Sequence, residues 1–388
     1  MKQPEAAPPV LPGGRRPRIL VAMSGGVDSS VAAALLVERG YEVIGVTMKT
    51  FCYEDTVDHG KTCCGLDGIR DARRVADGLG IPHYVFDVEE PFTRDVIDDF
   101  VSEYAQGRTP NPCVRCNSNT KFRDLIARGK ALDCDGIASG HYARVERSEE
   151  GGTTLLRGRD QEKDQAYFLW GLPPDVVEVL HLPVGDLTKE EVREQASALG
   201  LVTADKPESQ EICFVPTGDY RDLLTRRLET RHPALEPGPI VTSDGTVVGE
   251  HDGYAGFTVG QRKGLGGGFS EPHFVIEVRS ATREVVVGTK DELDASRVEV
   301  GEVNWVVGSP PGPGDEVLVQ IRHRARAVPA SIQQASPLLR LSLHSPQSAV
   351  TPGQSAVLFS GDQLLGGGRI IRADTRAPAP SPALGTMQ

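Results

Sequence analysis

The sequence has no apolar run long enough to cross a bilayer, and its opening stretch, Met1 to Pro17, is proline-rich and polar without the apolar core of a secretory signal. No membrane partner is expected, and cytoplasm is the default location. Positive charge is in deficit: the formal net charge is −12, which argues against a general nucleic-acid binder and confines any RNA contact to a local basic site. Seven cysteines, an odd number, do not make a disulfide scaffold and point to a reducing compartment with thiol or metal chemistry. Two familiar phosphate signatures, GxxxxGK(S/T) and GxGxxG, are also missing.

What the chain does have is length, turns and one organising stretch. Its 388 residues allow two or three domains, and 43 glycines with 28 prolines describe a turn-rich chain. Arg18 to Leu36 reads as a buried strand, a tight Ser24-Gly25-Gly26 turn and an alanine-rich helix. Such a turn aims the first amides of a helix at one point, where the dipole also favours an anion, so phosphate is the natural ligand. Ser24, Ser29 and Ser30 add hydroxyl donors. Asp28 fits such a nest either by meeting a divalent cation or by capping local amides. Strands then alternate with helices to about Tyr220, which predicts a doubly wound parallel sheet whose ligands sit above the strand carboxyl ends. That rule gathers Ser24 to Ser30, Met48 and Gly140-His141 at one edge.

Matched from Ser24 to Ser29, the pattern SGGxDS resembles the PP-loop ATP pyrophosphatases. The resemblance implies that ATP is cleaved between its α and β phosphates, that a carbonyl oxygen is adenylated, and that pyrophosphate is left in the loop with Mg²⁺ offsetting its charge. The ATP contacts it implies are Ala22, Met23, Ser24, Gly25, Gly26, Val27, Asp28, Ser29, Ser30, Met48 and Gly140.

Several further stretches carry chemistry. GRTPNPCVRCNSNTKF presents Cys113 and Cys116 as a CxxC pair, which serves as a redox dithiol, half a metal site, or a nucleophile with a helper. Arg115 and Lys121 lie beside it, where positive charge favours thiolate. PESQEICFVP holds Cys213 among apolar neighbours. GRDQEKDQAYFLW places a charged loop before an aromatic run, and QRKGLGGG is a basic glycine loop. FCYEDTVDHGKTCC, with Cys52, His59, Cys63 and Cys64, reads as a loop over the nucleotide, and Cys134 as a packing residue. Arg322, Arg324 and Arg326 are expected on one face of a strand with His323 opposite, a track for RNA phosphates or plain solvent-facing decoration.

Together SGGVDSS, GRTPNPxxxCN, SGHYAR, LLRGRDxxKDQAYFL, SQEICFVP, GQRKGLG and TPGQSAVLF closely resemble the tRNA-specific 2-thiouridylase family, from about Arg18 to Ile371. The fold this implies is α/β: a PP-loop doubly wound parallel sheet with a small central domain and a C-terminal β-barrel. The expected boundaries are a disordered leader at 1–17, a catalytic domain at 18–224, a central domain at 225–290, a barrel at 291–374 and a disordered tail at 375–388. The implied activity is ATP-dependent 2-thiolation of the wobble uridine in a tRNA anticodon stem-loop. That base must be turned out of its stack to be reached. Asn111 and Pro112 are expected near it, with further tRNA contacts at His141, Lys163, Asp164, Gln165, Arg322, His323 and Gln354. A sulfur donor is implied, such as a cysteine desulfurase, a relay protein or inorganic sulfide.

In the family pattern NPDxxCN an aspartate assists, the cysteine at Cys116 acts as nucleophile or disulfide partner, and the cysteine at Cys213 carries a persulfide. In this chain the aspartate position is Cys113. A thiol does not inherit a carboxylate's role as a base, so the substitution leads to the expectation that Cys113, Cys116 and Cys213 ligate a 4Fe-4S cluster with one open iron. The persulfide route through Cys213 and Cys116 is the alternative, with zinc a third. Other PP-loop synthetases and a non-catalytic RNA-binding protein are the competing functions. They leave the three thiols without a use.

Overall fold

A five-stranded parallel sheet forms the heart of the first domain: β1 (Arg18–Ala22) lies between β2 (Glu42–Lys49) and β4 (Gly136–Ser139), with β3 (His83–Asp87) and β7 (Leu180–His181) at the edges. The computed structural model describes residues 11, 14–50, 66–148, 152–207, 212–215, 218–266 and 269–375. The expected tail after Thr375, most of the expected leader, and the segment with Cys52, His59, Cys63 and Cys64 lie outside the described residues. Among the described residues no helix is long and apolar enough to cross a membrane.

The sheet is apolar on both faces because helices cover both. Ile19 and Val21 pack with α1 (Val27–Glu38) and α2 (Leu66–Leu79), while Leu20 points the other way onto Phe122 and Leu125 of the helix Phe122–Ala131. Sequence order runs outward from β1 in both directions, so β1 and β4 flank the topological switch point where such sheets bind ligands.

A four-stranded central sheet follows, ordered β10 (Phe274–Arg279), β11 (Glu284–Gly288), β8 (Gly238–Thr242), β9 (Val247–His251), with the expected Asp244-Gly245 turn joining β8 to β9. The last region is a closed barrel of β12 (Asp294–Trp305), β15 (Leu339–Ser348), β14 (Val328–Gln334), β13 (Glu316–Gln320), β16 (Ser355–Ser360) and β17 (Gln363–Thr375), closed by pairing of β12 with β17. The hairpin of β5 (Ala143–Arg147) and β6 (Thr153–Arg157), which belongs to the first half of the chain, joins this same sheet through β17.

The structure corrects the expected arginine-bearing strand. β13 stops at Gln320, and Arg322, Arg324 and Arg326 lie in the turn that leads to β14. The Gln320 amide donates to the carbonyl oxygens of Arg322 (3.2 Å) and His323 (2.7 Å) and folds the chain back, so strand alternation does not apply. The three arginines are exposed.

Barrel and first domain are locked by a charged cluster. Arg369 of β17 reaches Asp99 (2.8 Å), Glu103 (2.7 Å) and Glu302 of β12 (3.4 Å). Arg108 donates to Glu103, and Arg115 pairs with Asp99 and Glu302. The Arg369 and Glu103 side chains are 10% and 3% exposed, so each depends on the others for compensation. Burial alone would raise the Glu103 pKa; Arg108 and Arg369 more than offset it and leave the carboxylate below its ordinary 4.5.

Arg369→Met strips three carboxylates of their shared buried partner and is expected to cost about 3 kcal/mol in urea unfolding at neutral pH. A carboxylate with a depressed folded pKa stabilises above its unfolded pKa and loses that contribution as pH falls through the folded value. The gap between wild type and variant is therefore expected to narrow in acid, below about pH 4.5. Equal gaps at pH 7 and in acid would show that Glu103 is not the group involved.

Candidate active site

At the carboxyl ends of β1, β2 and β4 opens a cleft of about 1220 Å³. Its floor is the turn between β1 and α1. Gly25 has φ +73°, and a Cβ there would lie 2.2 Å from the carbonyl oxygen of Gly68 in α2. At Gly140, directly after β4, a Cβ would lie 2.5 Å from the backbone nitrogen of Ser29. Only glycine allows either approach, and backbone does not yield as a flexible side chain does. Gly26 caps α1 without any side-chain bond, which leaves first-turn amides for a ligand.

Ala22 through Ser29, Met48 and Gly140 line the cleft, although Met23, Val27 and Met48 also bury their side chains in the core. Ser30 closes the first turn by donating to the Gly26 carbonyl (2.8 Å). The Asp28 carboxylate is held by more distant partners: its Oδ1 accepts from the Tyr142 hydroxyl (2.7 Å) and the Lys189 ammonium (2.6 Å). Lys189 is thus a site residue that sequence reasoning missed. A signal existed, since it opens the helix Lys189–Ala198, where the dipole disfavours a cation unless something else holds it. Lys206, also missed, donates to the Gly25 carbonyl (2.9 Å) and Asp71 (2.6 Å).

The charge of the lining is opposite to that of the chain. Among the described residues, Arg70, Arg74, Lys121, Lys163, Lys189 and Lys206 share the cleft with the carboxylates of Asp28, Asp67 and Asp71. A concave, cation-rich lining in an acidic chain concentrates anions there.

The other wall carries sulfur. Cys113 sits in the helical turn Pro112–Arg115, and Cys116 opens the π-helical segment Cys116–Lys121 that follows. Cys213 comes from a distant part of the chain, anchored by Phe214, whose ring meets Phe100 edge-on at 5.2 Å. All three cysteines line the cleft; Cys113 is exposed, and Cys116 and Cys213 are half-buried. The structure does not gather them into a ligand set: among the described residues no group of three or more His, Cys, Asp or Glu side chains is placed to hold a metal ion. The 4Fe-4S expectation therefore finds no support in this arrangement, because an iron–sulfur cluster needs its thiolates in one coordination sphere, and the persulfide alternative is favoured. Cys134 lies apart, packed against the core, with burial pushing its thiol up to about 11.

The remaining expected contacts divide. Pro112, His141, Lys163 and Gln165 line the cleft. His141 bonds Ser139 Oγ through Nδ1 (2.7 Å), and burial, with Lys121 nearby, holds its pKa well below the ordinary 6.5. Asn111 instead lines a small cavity, about 10 Å³, with Glu302, Gly353 and Arg369. Asp164 accepts from Arg157 (2.8 Å) and from the Gly158 and Ala166 amides. His323 bonds the Asp164 carbonyl (3.2 Å), and Arg322 bonds that of Ser348 (3.1 Å). Gln354 donates to the carbonyls of Thr109 (3.0 Å) and Pro110 (2.9 Å).

Comparison with known proteins follows the same division of the chain. Residues 17–217 match the tRNA methyl transferase HUP domain family, residues 223–289 the tRNA methyl transferase PRC-barrel domain family, and residues 295–370 the aminomethyltransferase beta-barrel domain family. The tRNA-specific 2-thiouridylase MnmA of Carboxydothermus hydrogenoformans is 46% identical over 359 residues, covering 92% of this chain and 98% of that protein. Its namesake in Geobacter metallireducens is 48% identical over 366 residues, covering 93% and 98%. The chain belongs to the tRNA-specific 2-thiouridylase family. The domain descriptions speak of methyl transfer, but the thiouridylase relatives span nearly the whole chain, and membership among them makes it an enzyme of the tRNA-uridine 2-sulfurtransferase class.

Gly140→Ala in this thiouridylase-family chain is expected to push α1 away from β4 and weaken a non-hydrolysable ATP analogue by about 10-fold or more, the effect of 1–3 kcal/mol of overpacking. Titration calorimetry on the purified variant checks it; unchanged affinity would show that the spacing of β4 and α1 does not shape the phosphate site.

Proposed function

We propose that the chain thiolates the wobble uridine of tRNA at C2, using ATP for activation and a Cys213 persulfide for sulfur. The observation that supports this most is that Cys116 and Cys213 share one cation-rich cleft with the Ser24–Ser29 loop.

A uracil C2 carbonyl is a poor electrophile because its oxygen leaves badly. In the proposed sequence O2 attacks the α-phosphorus of ATP, the bond to the β-phosphate bridge breaks, and pyrophosphate departs into the loop amides. Lys189, which lines the cleft beside Asp28 of the loop, is proposed to offset that charge. Magnesium enters as part of the MgATP substrate. The terminal sulfur of Cys213–S–S⁻ then attacks C2 and AMP leaves with the oxygen. The Cys116 thiolate attacks the Cys213 sulfur, breaks the S–S bond to the base, and forms a Cys116–Cys213 disulfide as 2-thiouridine is released. An external thiol reductant restores both cysteines, and an external sulfur donor reloads Cys213. No step passes through a metal cluster, and Cys113 is given no proton to move.

Buried His141 stays neutral near pH 7, which suits a pocket that must admit an uncharged base beside charged phosphates. Pro112 is proposed to flank that base, with Gln165 and Lys163 toward the rest of the anticodon loop.

Cys213→Ser is expected to lower 2-thiouridine formation by about 10³-fold or more while tRNA-dependent release of pyrophosphate persists, because the nucleophile is lost and the activating site is not. Nucleoside mass analysis and a pyrophosphate assay on the same samples separate the two. Loss of pyrophosphate release along with thiolation would place Cys213 in activation and refute the proposed order of steps.

A further inference from the structure

We propose that Lys206 is a positioning residue of the nucleotide loop: its ammonium, held between Asp71 of α2 and the Gly25 carbonyl, keeps the Gly25–Gly26 peptide turned with its N–H toward the phosphates. This rests on the proposed use of ATP and extends it to a residue outside the loop.

Three observations carry it. Lys206 Nζ is 2.9 Å from Gly25 O and 2.6 Å from Asp71 Oδ2, and all three residues line the cleft. A trans peptide is planar with C=O and N–H opposed, so a carbonyl fastened toward Lys206 and α2 sends the Gly26 N–H the other way. Among the described residues that N–H has only a long contact, 3.4 Å to Ser24 Oγ, which a phosphate oxygen can replace.

The need for such a clasp follows from the sequence. A peptide between two glycines flips at little cost, because neither residue carries a Cβ to resist it. If this one flipped, a carbonyl oxygen would face the departing pyrophosphate where a donor is required. Lys206 opposes the flip by binding the oxygen on the far side, and Asp71 holds the lysine there. Its own backbone is braced by Arg193, which donates to the carbonyls of Ala204 (2.9 Å) and Lys206 (3.3 Å). The position of Lys206 therefore does not depend on the nucleotide being present.

The test uses the full chain as wild type, Lys206→Met, Lys206→Arg, Asp71→Asn and the Met/Asn double variant. Binding of the α,β-methylene analogue of MgATP and of AMP is measured by calorimetry, and tRNA-dependent pyrophosphate release by its KM and kcat. Lys206→Met is expected to weaken the ATP analogue about 10-fold or more and raise KM for ATP, with AMP binding unchanged, since AMP does not reach the loop amides. Lys206→Arg is expected to recover part of the loss, and Asp71→Asn to lose affinity in the same direction. The double variant should be no worse than Lys206→Met alone, because both substitutions break one clasp.

Unchanged binding of the analogue by Lys206→Met overturns the proposal. So does equal weakening of AMP and analogue, which marks a general loss of structure. Tighter binding by Asp71→Asn also overturns it, because a lysine freed from Asp71 would then be gripping the nucleotide directly. Failure of the wild type to bind the analogue or release pyrophosphate would instead overturn the ATP reading itself, whatever the variants do.

Discussion

The structure depends most on the buried guanidinium of Arg369. It faces carboxylates from both halves of the molecule, Asp99 and Glu103 on one side and Glu302 on the other. Charges this deep are tolerable only while all are present, so the barrel is bound to the catalytic layer by mutual need rather than by apolar area alone. The loop with the CxxC pair begins beside that junction. The Thr109 amide donates to the Pro352 carbonyl (2.9 Å), Gln354 holds the carbonyls of Thr109 and Pro110, and Gly353 leaves room for Thr109 because a Cβ there would lie 2.6 Å from its oxygen. The barrel thereby sets where Cys113 and Cys116 can stand.

Much of this was legible in the sequence for identifiable reasons. Strands buried on both faces, a glycine turn and an alanine-rich helix are local patterns, and the parallel sheet and its switch point follow from their order. The β8–β9 turn at Asp244-Gly245 was legible for the same reason. The arginine turn was not, because the sequence around Arg322 alternates like a strand and the bonds from Gln320 that end β13 are made by one side-chain amide. Lys189 and Lys206 escaped notice because their roles exist only once distant segments meet: Asp28 lies 161 positions from Lys189, and Gly25 lies 181 from Lys206. The cluster expectation is left without support for a related reason. Spacing shows that three thiols are available, and only geometry shows whether they converge.

Charge is distributed with the same economy. The chain as a whole repels nucleic acid, and cations are brought inward to one cleft, where Lys189 and Lys206 are held in place by backbone or carboxylate partners. An acidic exterior with a basic recess discourages indiscriminate RNA contact and rewards only a substrate that can enter.

The hairpin β5–β6 has a consequence for the chain's modularity. It follows His141 directly, leads into the Lys163–Gln165 turn, and yet hydrogen-bonds with β17 from the far end of the polypeptide. The catalytic portion lends two strands to a sheet it does not own, so excising the barrel as a cassette would strip that hairpin of its neighbour and leave a raw β edge beside the active centre. Fusion, transplantation or trimming at the apparent domain boundary runs against this interleaving, and the three regions are better regarded as one woven unit than as beads on a string.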